Sequence, residues 1–377
     1  MRVLSVFGTR PEAIKMAPVV KTLAAEEDID SITCVTGQHR TMLDQVLSLF
    51  DITPDYDLSV MSPNQTLNGL AGKVISGLDA IFEQVQPDYV LVHGDTTTAM
   101  AASLAAFHRN IKIGHVEAGL RTYDLAKPWP EEFNRRVIDV AAAKLFAPTA
   151  TSADNLEAER LSGEILVTGN TVIDALVETA GRIRSDLKIR TRLDAEFSFL
   201  DGPRRILLVT GHRRESFGDG FLNICKALAE LARRSDLQIV YPVHLNPNVS
   251  GPVHELLSGQ HNIHLIEPQE YLSFIYLMNK ADIVLTDSGG VQEEAPSLGK
   301  PVLVMRDVTE RPEAVAAGGV RLVGTDVVRI KGEVERLLDD TGYYSGFTHI
   351  LNPYGDGMAS KRIAAALAGK AVVPFAA

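Results

Sequence analysis

Short apolar runs alternate along the chain with longer amphipathic segments. The runs contain little polar alternation, which is typical of strands covered on both faces of a parallel sheet. One set of runs occupies residues 3–7, 32–36, 89–92, 111–116, 145–147 and 165–168, and a second set occupies residues 206–210, 238–241, 263–266, 283–286, 301–304 and 320–323. The pattern therefore predicts two six-strand sets along one chain.

The segments between the runs have helical periodicity. Residues 70–85 carry apolar side chains mostly three or four positions apart, and Pro87 follows their end. Strand–helix alternation of this kind predicts right-handed βαβ units. We therefore expect an α/β fold with two doubly wound domains. Residues 181–205, rich in Arg and Asp, are either a linker or a charged helix followed by a turn.

Composition narrows the class of protein. The 377 residues carry a formal net charge of −11, which argues against a general nucleic-acid binder because such proteins usually have a basic face. Cys34 and Cys225 lie in apolar stretches and are expected to be buried free thiols. The apolar run at the N-terminus is too short for a signal peptide, and the Ala-rich tail is too short to span a membrane. We expect a cytoplasmic, soluble protein.

Glycines and polar residues collect where the predicted strands end. The first set is followed by Gly8-Thr9-Arg10-Pro11-Glu12, Gly37-Gln38-His39, His93-Gly94-Asp95-Thr96 and Glu117-Ala118-Gly119-Leu120-Arg121, and the second by Gly211-His212-Arg213-Arg214-Glu215 and Asp287-Ser288-Gly289-Gly290. Ligands of open α/β sheets bind at the carboxyl edge of the strands. Two such edges facing one another predict an active site in a cleft between the domains.

The chemistry of these clusters favours a phosphorylated ligand. Arg10 and Lys15 are predicted to lie near a helix N-terminus, where free N–H groups attract anions. Ser288-Gly289-Gly290 leads into a helix predicted near Val291, and its glycines present N–H groups without obstruction by a Cβ. Arg311 offers a bidentate contact to phosphate. Any one of these features, taken alone, is equally typical of an ordinary turn or a solvated cation.

Three carboxylates and one histidine are candidates for proton transfer. Asp95 and Glu117 follow strands, where burial tunes a carboxyl group for acid–base work. Glu131 follows the stiff segment Pro128-Trp129-Pro130, although Glu131-Glu132 alone is typical of an acidic first helical turn. His212 is placed to bind phosphate, to hold a proton or to make a structural hydrogen bond. The chain lacks the Gly-x-Gly-x-x-Gly and P-loop motifs, and nothing in it requires a metal or a redox cofactor.

The motifs together resemble one family. Besides the strand-end clusters, the chain contains Pro130-Glu131-Glu132-Phe133-Asn134-Arg135, Val291-Gln292-Glu293-Glu294 and Thr309-Glu310-Arg311-Pro312-Glu313 in the same order. From residue 1 to about residue 362 the set closely resembles the non-hydrolysing UDP-N-acetylglucosamine 2-epimerases. The resemblance implies a glycosyltransferase-B-like fold of two Rossmann-like domains and a homodimer. It places the first domain at residues 1–169, joined by a C-terminal helix at about 361–377, and the UDP-binding domain at residues 170–360.

The resemblance also implies a reaction. The family interconverts UDP-N-acetylglucosamine and UDP-N-acetylmannosamine, which feeds cell-envelope polysaccharides, by eliminating UDP to give 2-acetamidoglucal and adding it back. The implied catalytic residues are Asp95, Glu117, Glu131 and His212, and no cofactor or metal is implied. The implied substrate-binding residues are Arg10, Lys15, Asp95, Glu117, His212, Ser288, Gly289, Gly290 and Arg311, with Phe274 against uracil, Gln269 on its edge and Glu294 on the ribose hydroxyls.

One departure from the family concerns regulation. Many bacterial members bind a second UDP-N-acetylglucosamine as an allosteric activator, and Gln38 and His39 match that pocket. Thr41 and Asn64 stand where those members carry a glutamine and an arginine. Loss of an arginine that binds phosphate in bidentate fashion weakens such a site. We therefore expect weak or absent activation by substrate.

Several alternatives remain open on the sequence. A glycosyltransferase of the same fold also binds a nucleotide sugar, but it need not carry the acidic trio as a set. A hydrolysing relative releases free N-acetylmannosamine and UDP, and a catalytically silent sensor binds the nucleotide sugar without exchanging a proton. UDP-2,3-diacetamido-2,3-dideoxyglucuronate is an alternative substrate, because similar enzymes epimerise it.

Overall fold

The computed structural model describes residues 1–37, 40–62, 64–200 and 202–376, without the side chains of residues 40 and 41. Its contacts divide the chain into two compact units. Unit 1 comprises Met1–Val177 and Tyr354–Ala377, and unit 2 comprises Glu178–Pro353. The sequence prediction places the domain boundaries after residues 169 and 360. These boundaries refer to the hinge between the domains, and they stay predictions.

Unit 1 is built on a parallel sheet. Its strands are β1 Arg2–Phe7, β2 Asp30–Val35, β3 Tyr56–Asp57, β4 Tyr89–His93, β5 Lys112–Val116, β6 Lys144–Ala147 and β7 Glu164–Val167. They lie in the order β3-β2-β1-β4-β5-β6-β7. The order reverses direction between β1 and β4, which is the switch point of a doubly wound sheet.

Unit 2 repeats the plan with six parallel strands. They are β8 Arg205–Thr210, β9 Leu237–Pro242, β10 Ile263–Ile266, β11 Ile283–Thr286, β12 Val302–Val304 and β13 Val320–Leu322. Their order is β10-β9-β8-β11-β12-β13, with the switch point between β8 and β11. The predicted fold class, α/β with two Rossmann-like doubly wound domains, is confirmed.

Helices connect the strands in both units. They are α1 Arg10–Ala24, α2 Arg40–Leu49, α3 Leu67–Val85, α4 Thr97–His108, α5 Glu131–Ala141, α6 Ala150–Ala158, α7 Thr171–Ser185, α8 Leu187–Glu196, α9 Asp219–Leu231, α10 Pro247–Leu257, α11 Tyr271–Lys280, α12 Gly289–Glu294, α13 Pro312–Ala316, α14 Val327–Asp339, α15 Thr341–Thr348 and α16 Ala359–Leu367. The division between the units falls inside α7. The charged segment proves to be the end of α7, then α8, a short 3₁₀ turn at Ser198–Leu200 and a turn into β8.

Helix α3 shows how sequence pattern becomes packing. The hydroxyl of Thr66 accepts a hydrogen bond from Gly69 N and so caps the first turn. The apolar residues from Leu70 to Val85, which recur at helical spacing, are the residues of α3 that are buried. Gln86 ends the helix in the left-handed region at φ 48°. The buried face joins the core cluster that also contains β1, β4 and α4.

The predicted strands are all present, with ends that differ by at most two residues. Strand β3, only two residues long, was missed because such a short strand has no detectable period. Cys34 and Cys225 are buried free thiols, as expected, and burial raises the pKa of each to about 12. Across the described residues, no helix is both long and apolar enough to cross a membrane.

Candidate active site

The predicted clusters lie at the switch points of the two sheets. In unit 1, Gly8 follows β1 and Gly94-Asp95 follows β4, and these strands are neighbours across the reversal of strand order. In unit 2, Gly211-His212 follows β8 and Asp287 follows β11, with the same relation. The carboxyl edge at a switch point is where doubly wound proteins bind their ligands. Each unit therefore presents one candidate site.

Glu117 lies at the centre of the unit 1 site. It directly follows β5 and adopts φ 67°, which is uncommon for a residue with a long side chain. Its Oε2 accepts hydrogen bonds from Lys15 Nζ of α1 and, at 3.0 Å, from Asn170 Nδ2. His93 Nε2 lies 3.5 Å from the same oxygen. Three elements far apart in sequence thus converge on one carboxylate.

The environment keeps Glu117 ionised. Burial by itself would raise the pKa of this carboxyl group, but the charge of Lys15, with a contribution from His93, holds the pKa well below its ordinary value. Within the described structure, both ring nitrogens of buried His93 lack a hydrogen-bond partner. The sequence analysis gave no role to His93 or Asn170. Each lies next to a glycine at the end of a strand, and this position is the sequence signal that could have indicated a site residue.

Asp95 is the second carboxylate of this edge. Its Oδ2 accepts a hydrogen bond from Arg135 Nη2 at 2.5 Å, and its backbone carbonyl accepts one from Asn134 Nδ2 at 2.9 Å. The side chain is 27% exposed, so it is accessible to a ligand. Helix α5 therefore supplies the partners that orient Asp95. The pairing with Arg135 was not predicted, although Arg135 belongs to the motif that contains Glu131.

Glu131 and its neighbour Glu132 have different surroundings. Glu132 is fully buried and accepts hydrogen bonds from the backbone N–H groups of Thr122 and Tyr123, each at 3.1 Å. Glu131 is partly exposed at the first position of α5, and the described residues donate no hydrogen bond to its carboxylate. Glu132 thus holds the loop after β5, whereas Glu131 is accessible. The catalytic role of Glu131 stays a prediction.

The start of α1 differs from a simple anion site. The Glu12 carboxylate accepts hydrogen bonds from Gly8 N at 3.0 Å and Thr9 N at 2.7 Å, so the chain's own side chain occupies these donors. Gly8 is required for space, since a Cβ there would lie 2.0 Å from Thr36 Oγ1. Arg10, partly buried, is the first residue of the helix. Its predicted role in binding the diphosphate stays a prediction.

In unit 2, Asp287 positions the loop that carries His212. Its Oδ2 accepts hydrogen bonds from the backbone N–H groups of His212 at 2.7 Å and Arg213 at 2.8 Å. The imidazole of His212 is 47% exposed and stacks on His244 with ring centroids 5.3 Å apart. The ring is therefore fixed by backbone and stacking contacts while one side stays open to a ligand.

A cluster of arginines surrounds the start of α12. The helix begins at Gly289, two residues earlier than predicted, with Ser288 as its N-cap. The position that a Cβ of Gly289 would occupy is 3.7 Å from the Arg311 guanidinium and 3.8 Å from Arg213 Nη2. The Nε of Arg311 donates to Glu293, which orients the arginine. Two guanidinium groups and the N–H groups of Gly289-Gly290 thus lie together, a combination suited to phosphate oxygens.

The remaining predicted nucleotide-binding residues lie in or beside α11 and α12. Glu294 is buried, and its Oε1 accepts a hydrogen bond from the hydroxyl of Tyr271 at 2.7 Å. The Nε2 of Gln269 donates to the carbonyl of Glu267 at 2.7 Å. Phe274 is partly buried on α11. Their predicted contacts with uracil and ribose stay predictions.

Two further regions complete the comparison with the sequence predictions. Gln38 and His39, the predicted allosteric residues, lie outside the described residues, whereas Asn64 is exposed at φ 53°. A cavity of about 420 Å³ opens between Arg205, Asp282 and Tyr344. Because Arg205 and Asp282 lie at the amino ends of β8 and β11, this cavity is at the opposite edge of the sheet from the candidate site.

Two doubly wound sheets with charged clusters at their switch points define a class of α/β proteins that bind ligands at the carboxyl edge of the sheet. A family model described as UDP-N-acetylglucosamine 2-epimerase matches residues 21–368. The UDP-N-acetylglucosamine 2-epimerase of Escherichia coli strain K12 is 58% identical over 369 residues, which cover 97% of this chain and 98% of that protein. The chain belongs to the UDP-N-acetylglucosamine 2-epimerase family.

Solved structures agree with this assignment. The UDP-GlcNAc 2-epimerase from Neisseria meningitidis, determined bound to UDP-GlcNAc, is 53% identical with a TM-score of 0.90, covering 98% of this chain and 100% of that one. The Methanocaldococcus jannaschii enzyme, in complex with UDP-GlcNAc and UDP, is 32% identical with a TM-score of 0.79 and the same coverage. A glycosyltransferase from Rickettsia africae, 15% identical with a TM-score of 0.64 over 98% of this chain and 99% of that one, shares the fold.

Proposed function

We propose that the chain interconverts UDP-N-acetylglucosamine and UDP-N-acetylmannosamine, without net hydrolysis, through a 2-acetamidoglucal intermediate. The observation that carries this proposal is the convergence of Lys15, Asn170 and His93 on the ionised Glu117 at the carboxyl edge of the first sheet. A buried carboxylate held ionised is ready to accept a proton. Family membership and the bound ligands of the relatives support UDP-N-acetylglucosamine as substrate.

The reaction requires loss of a weakly acidic proton. The proton on C2 of the sugar is not next to a ketone, so its removal is feasible when the C1–O bond to UDP breaks at about the same time. The proton passes to a carboxylate, the electron pair of the C1–O bond leaves with UDP, and a C1=C2 double bond forms. Addition of UDP and delivery of a proton to the opposite face of C2 complete the inversion.

The two units supply different parts of this chemistry. We assign proton transfer at C2 to Asp95, Glu117 and Glu131 of unit 1. Lys15 is assigned to the departing diphosphate as well as to Glu117, and its movement toward phosphate would make Glu117 a stronger base by removing the charge that lowers its pKa.

Unit 2 is assigned to the nucleotide and the departing charge. The Arg213 and Arg311 guanidinium groups and the Gly289-Gly290 N–H groups suit the diphosphate, because developing negative charge is best stabilised by donors that are already in place. His212 is assigned to the diphosphate or to the sugar. Gln269, Phe274 and Glu294 are assigned to uracil and ribose, on the basis of the family pattern.

Proton NMR of UDP-N-acetylglucosamine incubated with the protein in deuterium oxide tests the function. We expect deuterium at C2 and accumulation of UDP-N-acetylmannosamine. Glu117→Gln is expected to bind UDP like the wild type but to lose exchange, because an amide cannot accept the C2 proton. Glu157→Gln, an exposed site on α6, is the matched control and should exchange normally. Exchange at the wild-type rate in Glu117→Gln would remove Glu117 from the catalytic role.

The same experiment separates the alternatives. A glycosyltransferase would place no deuterium at C2 without an acceptor, and a silent sensor would bind UDP-N-acetylglucosamine without exchange. A hydrolysing enzyme would release free N-acetylmannosamine at the rate of turnover. UDP-2,3-diacetamido-2,3-dideoxyglucuronate, supplied in parallel, tests the related substrate. The expected cytoplasmic location and homodimer stay predictions, and light scattering in solution checks the dimer.

A further inference from the structure

A buried polar network lies beneath the loops that follow β4 and β5. His115 on β5 is 0% exposed, and its Nδ1 lies 2.5 Å from Asp139 Oδ1 of α5. Its Nε2 lies 2.7 Å from the backbone carbonyl oxygen of Gly94. None of the roles assigned above to substrate or proton transfer uses these groups.

Both ring nitrogens of His115 face hydrogen-bond acceptors. The Gly94 carbonyl can only accept. Asp139 accepts as well, because Arg121 Nη2 lies 2.8 Å from its second oxygen. Burial alone would raise the pKa of Asp139, but His115 and Arg121 hold it below its ordinary value, so the group is a carboxylate. Nε2 of the ring therefore donates to the Gly94 carbonyl, while Nδ1 bonds to Asp139.

Arg121 joins the network to a second carboxylate. The Arg121 side chain, which is 0% exposed, donates from Nε and Nη2 to the two carboxylate oxygens of Glu159 at 2.7 and 2.8 Å. Arg121 thus bonds to two carboxylates, and Arg136 Nε lies 3.9 Å from Glu159 Oε1.

The network connects the two loops that carry the unit 1 carboxylates. Gly94, at φ 65°, directly precedes Asp95, so the His115 bond fixes the turn into that residue. Asp139 Oδ2 lies 3.4 Å from Gly119 N, two residues after Glu117. Gly119 is itself closely packed, since a Cβ there would lie 2.2 Å from the carbonyl oxygen of Ser152.

We propose that His115 is a positioning residue for the reaction: its ring, held by Asp139, clamps the Gly94 carbonyl and so fixes Asp95 relative to the loop of Glu117. The proposal rests on the proposed function, in which Asp95 and Glu117 act at C2. A group of this kind acts through geometry, and a misplacement of about 1 Å costs on the order of 100-fold in rate.

Two amide substitutions separate the two hydrogen bonds of the ring. The amide nitrogen of His115→Asn takes the place of Nδ1 and keeps only the bond to Asp139, whereas that of His115→Gln takes the place of Nε2 and reaches Gly94. We expect kcat to fall about 10–100-fold in His115→Asn, with KM within about threefold of wild type, and to fall much less in His115→Gln. His108→Asn, an exposed histidine at the end of α4, is the matched control.

Circular dichroism and calorimetric titration with UDP establish that each variant is folded and competent to bind. Equal turnover in folded His115→Asn and His115→Gln would overturn the proposal, and preferential loss in His115→Asn supports it. Absence of C2 exchange in the wild type would instead reject the proposed function.

A measurement on the wild-type protein covers the case in which a variant does not fold. NMR of protein with ¹⁵N-labelled histidine rings should show a bonded proton on Nε2 of His115, the nitrogen that faces the Gly94 carbonyl, with the resonances assigned by their absence in a His115 variant or by contacts to β5. A ring that carries no proton on Nε2 would overturn the proposal.

Discussion

Lys15→Met tests whether the pair at the centre of the unit 1 site stabilises the fold as well as the reaction. The Lys15 and Glu117 side chains are only 14% and 10% exposed, so solvent screens their attraction weakly. Removing one partner of a buried pair leaves the other charge uncompensated, at a cost of about 3–5 kcal/mol. Asn170 still donates to Glu117 at 3.0 Å, so we expect the lower end, about 3 kcal/mol.

Urea unfolding of the proteins of a double-mutant cycle measures the free energy that the Lys15–Glu117 pair contributes to folding. The wild type, Lys15→Met, Glu117→Gln and the double variant are compared at neutral pH. The double variant should recover most of the loss, because a neutral amide in place of Glu117 needs no counter-charge, and the coupling free energy should be at least about 2 kcal/mol. Single-variant losses that add to within about 0.5 kcal/mol would refute the reasoning.

The same pair predicts the sign of a pH effect. Because the folded-state pKa of Glu117 is lowered, its contribution to the free energy of unfolding is present above the unfolded pKa of about 4.3 and is lost as pH falls toward the folded value. The difference in stability between wild type and Lys15→Met should therefore shrink as pH is lowered through about 4. A difference that stays constant with pH would contradict the assignment to Glu117.

Three further outcomes are expected. Arg135→Met removes the guanidinium that donates a hydrogen bond to Asp95 at 2.5 Å, and it should lower kcat on the order of 100-fold with little change in KM. A change in KM alone would contradict a role of Arg135 in orienting Asp95. Phe274→Ala should weaken UDP binding about tenfold by calorimetry, and unchanged affinity would exclude stacking on uracil. The rate in the UDP-N-acetylmannosamine direction should be hyperbolic and unchanged by added UDP-N-acetylglucosamine, whereas a requirement for that effector would show that activation survives.

The fold was largely predictable because a strand that is buried on both faces has an almost continuous apolar sequence. Strand β4, Tyr89–His93, is buried at every position, and its sequence is an almost continuous apolar run. The residue types at the strand ends were also readable, since clusters of glycine and polar residues follow six of the twelve runs. Strand β3 was not, because its two residues, Tyr56–Asp57, gain their conformation from pairing with β2 and not from their own pattern.

The pairing of side chains within the site was not predictable. Lys15 and Glu117 are 102 residues apart, and their contact depends on a sheet order in which β1, β4 and β5 are neighbours. A single sequence carries no direct signal of that order. The different surroundings of Glu131 and Glu132 were not predictable for a similar reason, because both suit the first turn of α5 and only the loop at residues 122–123 decides which one is buried.

The last part of the chain has a consequence for how the protein is made. Helix α16 contacts α1, its first backbone N–H groups donate to Asp174, and Phe375 N donates to Val167 O, so residues 354–376 complete unit 1. Unit 2, in contrast, is one continuous stretch of chain. During synthesis on the ribosome, the first 177 residues therefore lack part of their unit until residues 354–376 have been translated. Residues 178–353 form a continuous unit and can acquire their native structure earlier.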